Sequence, residues 1–251
     1  MKKIFGLSKL NVIAIVLVAC VAIIATAGGS IAYFSDNKQM TNTFTMGNVY
    51  ISLSEAKMVE DATGNRVPDP NGARLEGTAI GESGATNEYG SLYPGKQMLK
   101  DPTIKNTGSE PAYIAAKIIV KANGNIGSIY GGAFGLVGTG GGMFEGALFD
   151  EATTLDPDAG IRECAKYTMR QSVEADGSLV LYVFVTDALK PTDAAITLFD
   201  TMCIDPEFDN AAMQQLAGLT VTVQAFAVQT YGFADCYEAM TKGFVDHFDF
   251  D

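Results

Sequence analysis

Residues 179–185 read Leu-Val-Leu-Tyr-Val-Phe-Val, seven apolar residues without interruption. A short continuous apolar run is typical of a central β-strand whose two faces are both covered. Asp176-Gly177 stands just before it and predicts a two-residue hairpin of type I′, because that turn needs a positive φ at both central positions. The hairpin would pair a strand near Tyr167–Val173 with the run at 179–185.

Strands of alternating polarity lie on either side of this hairpin in the sequence. Apolar residues recur at every second position over 49–53, 114–120 and 219–227, the period of a half-buried strand. Lys117 and Lys121 would face water in the second of these strands. Asn106-Thr107-Gly108 predicts a turn between Ile104 and Tyr113.

Helical signals are brief. Asp235 followed by Glu238 fits a capping box, and Gly243 fits the residue after a helix end, so a helix is predicted over about 236–242. A second short helix is predicted over 210–216.

Many short strands without regular βα alternation predict an all-β, antiparallel β-sandwich with a few short helices and long loops. Two stretches interrupt the strands. Residues 61–88 are polar and rich in Gly, Pro and Asn, which predicts a long surface excursion. Residues 131–146 hold eight glycines, which predicts a mobile loop. Residues 33–251 are expected to form a single domain.

Residues 1–32 have the pattern of a secretory signal peptide. Lysines at 2, 3 and 9 precede an apolar stretch over 12–25, and Ser30 and Ala32 are the small residues that a signal peptidase reads before Tyr33. The apolar stretch is shorter than the roughly twenty residues that span a bilayer. The predicted mature protein is therefore extracellular and contacts the membrane only transiently. An uncleaved anchor, cleavage after 25–27 and lipidation of Cys20 are the alternatives.

The charge balance excludes one class of partner. The chain has 17 basic and 29 acidic residues, and removal of residues 1–32 changes the net charge from -12 to -15. Nucleic-acid binding needs Lys and Arg to replace counterions, so we expect no nucleic-acid partner.

The sequence offers little chemistry, and we predict no catalytic, metal-binding or cofactor-binding residue. The single histidine, His247, has acidic neighbours near the end of the chain and is interpreted as part of a solvated tail. The glycines at 138–142 lack the Lys-Ser/Thr of a phosphate loop. Acidic loops at 69–72, 156–158 and 205–209 are interpreted as solvated turns, some of which could bind calcium weakly.

Three cysteines follow residue 32: Cys164, Cys203 and Cys236. Two arrangements fit an odd number, either one disulfide with a free thiol or three buried reduced cysteines.

The region around the cleavage site resembles a known family. Residues 27–36 read Ala-Gly-Gly-Ser-Ile-Ala-Tyr-Phe-Ser-Asp, and residues 42–49 read Asn-Thr-Phe-Thr-Met-Gly-Asn-Val. Both resemble proteins exported through the signal peptidase SipW, which include the biofilm fibre protein TasA and the camelysins (CalY). Lys100-Asp101-Pro102, Lys105-Asn106-Thr107-Gly108 and Ala225-Phe226-Ala227-Val228-Gln229 also recur in such proteins.

The resemblance implies a jelly-roll sandwich, secretion by a Gram-positive-type bacterium and assembly into biofilm-matrix fibres with itself or related matrix proteins. It also implies that the N-terminal segment freed by the SipW-type peptidase adds as a strand to the next subunit. The donor would be about 33–46, with Tyr33, Phe34, Phe44 and Met46 as candidate anchors. Alternatively, this segment packs on its own domain as the first strand.

Two other functions remain open. Camelysins have been classed as metallopeptidases, although this sequence shows no recognisable zinc motif. The third possibility is a monomeric cell-surface adhesion or binding module that uses the acidic loops.

Overall fold

The computed structural model of the chain describes residues 35–39, 49–130, 136–137, 142–150, 154–156 and 161–250. Within these ranges the chain forms sixteen strands and three short α-helices, and every pairing between strands is antiparallel. The predicted all-β, antiparallel class is confirmed. The described residues group into one compact unit.

In chain order the strands are β1 Ser35–Gln39, β2 Ile51–Ala56, β3 Met58–Glu60, β4 Arg66–Pro68, β5 Arg74–Glu76, β6 Gln97–Leu99, β7 Thr103–Asn106, β8 Ala112–Lys121, β9 Phe144–Glu145, β10 Thr154–Asp156, β11 Ile161–Glu163, β12 Tyr167–Val173, β13 Leu179–Val185, β14 Ile196–Thr197, β15 Thr201–Cys203 and β16 Thr220–Gln229. The helices are α1 Gly127–Tyr130, α2 Asn210–Gln215 and α3 Cys236–Gly243, and a 3₁₀ turn spans Ala147–Asp150.

The largest sheet has seven strands in the order β1-β16-β8-β13-β12-β11-β10. A four-stranded sheet, β14-β7-β2-β5, packs on its inner face. Between the two sheets lies the main core, in which Ile114, Ile118 and Val183 of the large sheet join Ile51 and Ile104 of the small one. Smaller sheets, β6-β15-β9 and β3-β4, complete the described part.

The outer face of the large sheet is also covered. Helix α3 and the segment that follows it pack Phe244 and Phe248 against Phe184 and Phe226. This second cluster explains why all seven residues of β13 are buried. A strand covered on both faces has no position where a polar side chain reaches water.

The hairpin between β12 and β13 has the predicted strands but a different turn. Of the two predicted turn residues only Gly177 has a positive φ, 78°, so the turn is not type I′. The Glu174 amide donates to Ser178 O, and the Gly177 amide donates to Glu174 O. This is the three-residue loop in which a left-handed glycine forms a bulge. Asp176 accepts from the Ser178 amide instead of adopting a positive φ itself.

Helix α3 begins as predicted. Asp235 Oδ1 accepts from the Glu238 amide at 2.8 Å, and Glu238 Oε2 accepts from the Ala234 amide at 2.6 Å. The helix includes Gly243, which was predicted to follow it, and Phe244 is the C-terminal cap. The second predicted helix is confirmed as α2 and is capped by Asp209.

The described part of the glycine-rich stretch does not form the mobile loop that its composition predicted. Leu136, Val137, Met143 and Phe144 are buried in the main core, and Phe144 packs against Phe199. These four buried residues therefore decide the position of the described part of the stretch.

Candidate functional site

The part of the predicted donor segment that the structure describes is β1. It pairs with β16 of the same chain, with Ser35 opposite Val228 and Gln39 opposite Gln224. This is the arrangement expected if the segment is the first strand of its own domain. The predicted cleavage residues Ser30, Ala32 and Tyr33, and the anchors Phe34, Phe44 and Met46, lie outside the described residues, as do residues 1–32 as a whole.

Strand β16 extends beyond the strand that lies on its outer side. It pairs with β8 over all ten of its residues but with β1 only over Gln224–Val228. Among the described strands, none lies against the outer side of residues 220–223. This half of the strand borders a cavity of about 1030 Å³, whose opposite wall is formed by residues 86–92.

A buried ion pair lies at the base of that cavity. Lys100 Nζ is 2.5 Å from Glu55 Oε2, and the two side chains are 5% and 4% exposed. Asn87 Nδ2 donates to Glu55 Oε1 at 2.9 Å. Both carboxylate oxygens therefore have partners, as a buried charge requires.

Sequence reasoning did not assign this cluster to a site. Glu55 continues the inward-facing series of Ile51 and Leu53, so a charge on the buried face of a strand was the available signal. In the sequence, Lys100 stands out only as part of the recurring motif Lys100-Asp101-Pro102.

The other residues of the recurring motifs have structural roles. Asp101 accepts from the Ala56 amide and pairs with Arg74, whose Nη1 lies 2.7 Å from Asp101 Oδ2. Buried Asn106 donates to Glu110 O and Leu189 O and accepts from the Gly108 amide. It thereby closes the predicted turn, which is confirmed.

The acidic loops at 69–72 and 205–209 use carboxylates within their own turns, whereas most of the loop at 156–158 lies outside the described residues. Asp69 Oδ1 accepts from the Asn71 amide, and Asp205 Oδ1 accepts from the Glu207 amide. Asp61 Oδ1 accepts from Thr63 and Asn65, and these hydrogen bonds lower the pKa of Asp61. Calcium binding by such loops stays a prediction.

The sequence predicted that His247 is part of a solvated tail, and this interpretation is wrong. The His247 ring lies 5.1 Å from the ring of Phe226 and 6.4 Å from the ring of Phe244. The segment lies on the sheet because its phenylalanines pack against the outer face. Burial and the charge of Lys117 lower the pKa of His247.

The three cysteines have free thiols, of which only Cys236 is fully buried. Over the described ranges, no three His, Cys, Asp or Glu side chains cluster closely enough to hold a metal ion. No helix in the same ranges is both long and apolar enough to cross a membrane.

The described chain is thus an all-β sandwich protein that carries its N-terminal strand on the edge of the larger sheet. Residues 8–63, less than a quarter of the chain, match the family described as camelysin metallo-endopeptidase. This match confirms the resemblance to TasA- and camelysin-like proteins over that region. No curated protein and no solved structure matches this chain.

Proposed function

We propose that this protein is a secreted structural subunit of extracellular biofilm-matrix fibres, in which the N-terminal strand of one copy pairs with the sheet of the next. The observation that carries the proposal is the position of β1. It is one of the two edge strands of the seven-stranded sheet and has β16 as its sheet neighbour.

Strand exchange at this edge needs no new interface. β1 makes five register pairs with β16, whereas β16 makes ten with β8. Release of β1 would leave the central ladder in place, and the β1 of a neighbour could make the same backbone hydrogen bonds. Since the contact is head-to-tail, it generates a filament.

The donor strand itself is polar, with the sequence Ser-Asp-Asn-Lys-Gln. Main-chain hydrogen bonds would therefore supply the pairing over β1. In this proposal the flanking residues Tyr33, Phe34, Phe44 and Met46 supply apolar contacts with the neighbour, because alternate side chains of an added strand fill pockets.

Export precedes assembly in the proposal. A SipW-type signal peptidase removes residues 1–32 and leaves Tyr33 as the first residue. An attached leader would block or tether the donor end, so the protein would polymerise only outside the cell.

The first test compares a chain spanning residues 33–251 with one spanning 47–251. Size-exclusion chromatography and negative-stain microscopy over several days should show filaments for the first and monomers for the second. If both remain monomeric, the fibre proposal fails, and a monomeric adhesion or binding module becomes the better explanation.

The second test asks whether the strand crosses between copies. Gln39 and Gln224 are register partners. Two protein samples are prepared, one with Gln39→Cys and the other with Gln224→Cys. Both samples also carry Cys164→Ser and Cys203→Ser. Fibres grown from the mixture should contain disulfide-linked dimers on a non-reducing gel, because neither chain can form this bond alone. Each sample mixed with the parent is the control. Fibres without cross-links would contradict exchange at this edge.

The family description favours a second function, that of a metallo-endopeptidase. Hydrolysis of casein by the purified 33–251 chain, with and without a chelator, tests it. Activity that the chelator abolishes would support the peptidase. The described residues do not supply a metal-binding donor set, so any such site would have to use residues outside them.

A further inference from the structure

The cavity beside β16 has features that strand exchange does not use. One wall is formed by residues 86–92 and the other by α2 and the first residues of β16. Its volume, about 1030 Å³, lies at the upper end of the range for small-molecule sites. Much of the lining is apolar: Leu92, Met202, Met213, Leu216, Leu219 and Val221.

The base of the cavity holds a hydrogen-bond donor that is only partly used. Lys100 Nζ carries three N–H groups, and one is donated to Glu55 Oε2. No further acceptor for this ammonium group is found among the described residues. A buried ammonium normally has its donors satisfied, so the site favours an incoming acceptor atom.

Tyr89 supplies a second unused group. Its hydroxyl oxygen is buried, makes no hydrogen bond of ordinary geometry in the described part of the chain, and has the Asn87 side chain as its polar neighbour. The nearby Asn87 amide already donates to Glu55 Oε1 and to Ala56 O. Burial, with the charge of Glu55, raises the pKa of Tyr89, so this hydroxyl keeps its proton at neutral pH and can donate it.

The wall that carries Tyr89 is fixed by hydrogen bonds that are independent of any ligand. Asn87 Oδ1 accepts from the Met58 amide at 2.8 Å, which attaches the segment to β3. Lys96 Nζ donates to Tyr89 O at 2.6 Å and to Ser91 O at 2.5 Å. Since a preformed wall needs little ordering on binding, more of the contact energy appears as affinity.

The charges around the cavity select the kind of ligand. Glu55 and Lys100 neutralise each other, and the other charged residue of the lining is Glu88, an exposed carboxylate 3.7 Å from Arg66 Nη2. An anion would meet this carboxylate and the net charge of -12 of the whole chain. The unused groups donate hydrogen bonds, which favours an uncharged acceptor.

We propose that this cavity binds an uncharged, mainly apolar small molecule whose carbonyl oxygen accepts hydrogen bonds from the Tyr89 hydroxyl and the Lys100 ammonium group. The apolar body of the molecule packs against the methionine and leucine side chains of α2 and β16. This site is separate from the pairing of β1 with Gln224–Val228.

The test uses Nile red, an uncharged dye with a carbonyl oxygen, titrated into the 33–251 chain and followed by fluorescence. We expect saturable binding at one site with blue-shifted emission. Tyr89→Phe keeps the ring and removes the hydroxyl, so it should weaken the affinity about tenfold, the value of one hydrogen bond of about 1.4 kcal/mol. The unfolding temperature of the free protein should stay the same or rise, because a buried hydroxyl without a partner is lost.

Two further variants complete the experiment. Tyr130→Phe removes another buried hydroxyl without a partner at a position that does not line the cavity, and it should leave the affinity unchanged. Ala217→Phe fills the cavity from an exposed position and should also weaken binding. Absence of saturable binding, or equal affinities for the parent and Tyr89→Phe, would overturn the proposal. Filament growth by Tyr89→Phe should equal that of the parent, which separates this result from the fibre test.

Discussion

Lys100 has a 5% exposed side chain, although lysine is almost never fully buried without a partner. Its partner Glu55 is equally buried, and the two groups lie on segments 45 residues apart. Pairing of buried charges often adds little net stability, but loss of one partner leaves the other charge without compensation. This asymmetry gives a test at the scale of single residues.

Lys100→Met should lower the free energy of unfolding of the 33–251 chain by about 3–5 kcal/mol, because Glu55 would remain buried and unpaired. The double variant Glu55→Gln, Lys100→Met should recover most of this loss, since the Gln carbonyl still accepts from Asn87 and no charge remains. Urea denaturation measures both. Equal losses in the single and double variants would show that lost packing, not an uncompensated charge, is the cause.

At the scale of elements, the segment after α3 acts as a cover for the large sheet. Phe248 is 1% exposed, and its ring lies 4.8 Å from that of Phe226 and 5.6 Å from that of Phe184. The segment therefore buries apolar residues of β13 and β16 that would otherwise face water.

Phe248→Ala should lower the free energy of unfolding by about 3–5 kcal/mol, through lost apolar burial and the cavity left behind. Val245, in the same segment, is 58% exposed, so Val245→Ala is the matched control and should change stability by less than about 0.5 kcal/mol. Thermal or urea unfolding compares them. A small effect of Phe248→Ala would mean that the segment is not part of the cooperative fold.

Local signals in the sequence predicted the elements well. The bounds of β12 and β13 and the cap of α3 were correct, because alternation and capping depend on residues a few positions apart. The predicted turn type was wrong because Asp176 Oδ1 accepts a hydrogen bond from the Ser178 amide and stabilises a longer loop. The Asp-Gly signal for a type I′ turn does not include such a contact. The prediction of a solvated tail around His247 was wrong because the phenylalanines of this segment pack on a distant part of the sheet, and the local sequence does not show that surface.

The candidate site was harder to predict, since it depends on contacts distant in sequence. Ser35 pairs with Val228 across almost the whole chain, and a polar strand has no local feature that names its partner. The cavity brings Glu55, Tyr89 and Lys100 together from three segments. Only the family resemblance pointed to the N-terminal segment.

At the scale of the whole molecule, burial of weak acids links stability to pH. Burial raises the pKa of five groups: Cys203 (to about 11), Cys236, Tyr89, Tyr130 and Tyr182. The pKa of each of these groups is higher in the folded state than in the unfolded state. The stability that they contribute is therefore present below about pH 9 and is lost as the pH rises. The lowered pKa of Lys96 and Lys117 acts in the opposite direction, with smaller shifts.

We therefore expect the unfolding temperature of the 33–251 chain to be lower at pH 10 than at pH 8. Calorimetry or circular dichroism at constant ionic strength measures the difference. Cys203→Ala removes one of the five acids and should make the fall in unfolding temperature smaller. An unfolding temperature that is constant or higher at pH 10 would contradict this account.

The large sheet is layered on both sides, by the small sheet and by the C-terminal cover. In the described structure another chain can extend its hydrogen-bond ladder only at the sheet edges, which are β1, β10 and residues 220–223 of β16 that β1 leaves unpaired. A polymer that grows by adding molecules at these edges extends along one axis only. A polymer of this protein would therefore be a thread one molecule wide, unable to spread into a film unless other surfaces join threads side by side.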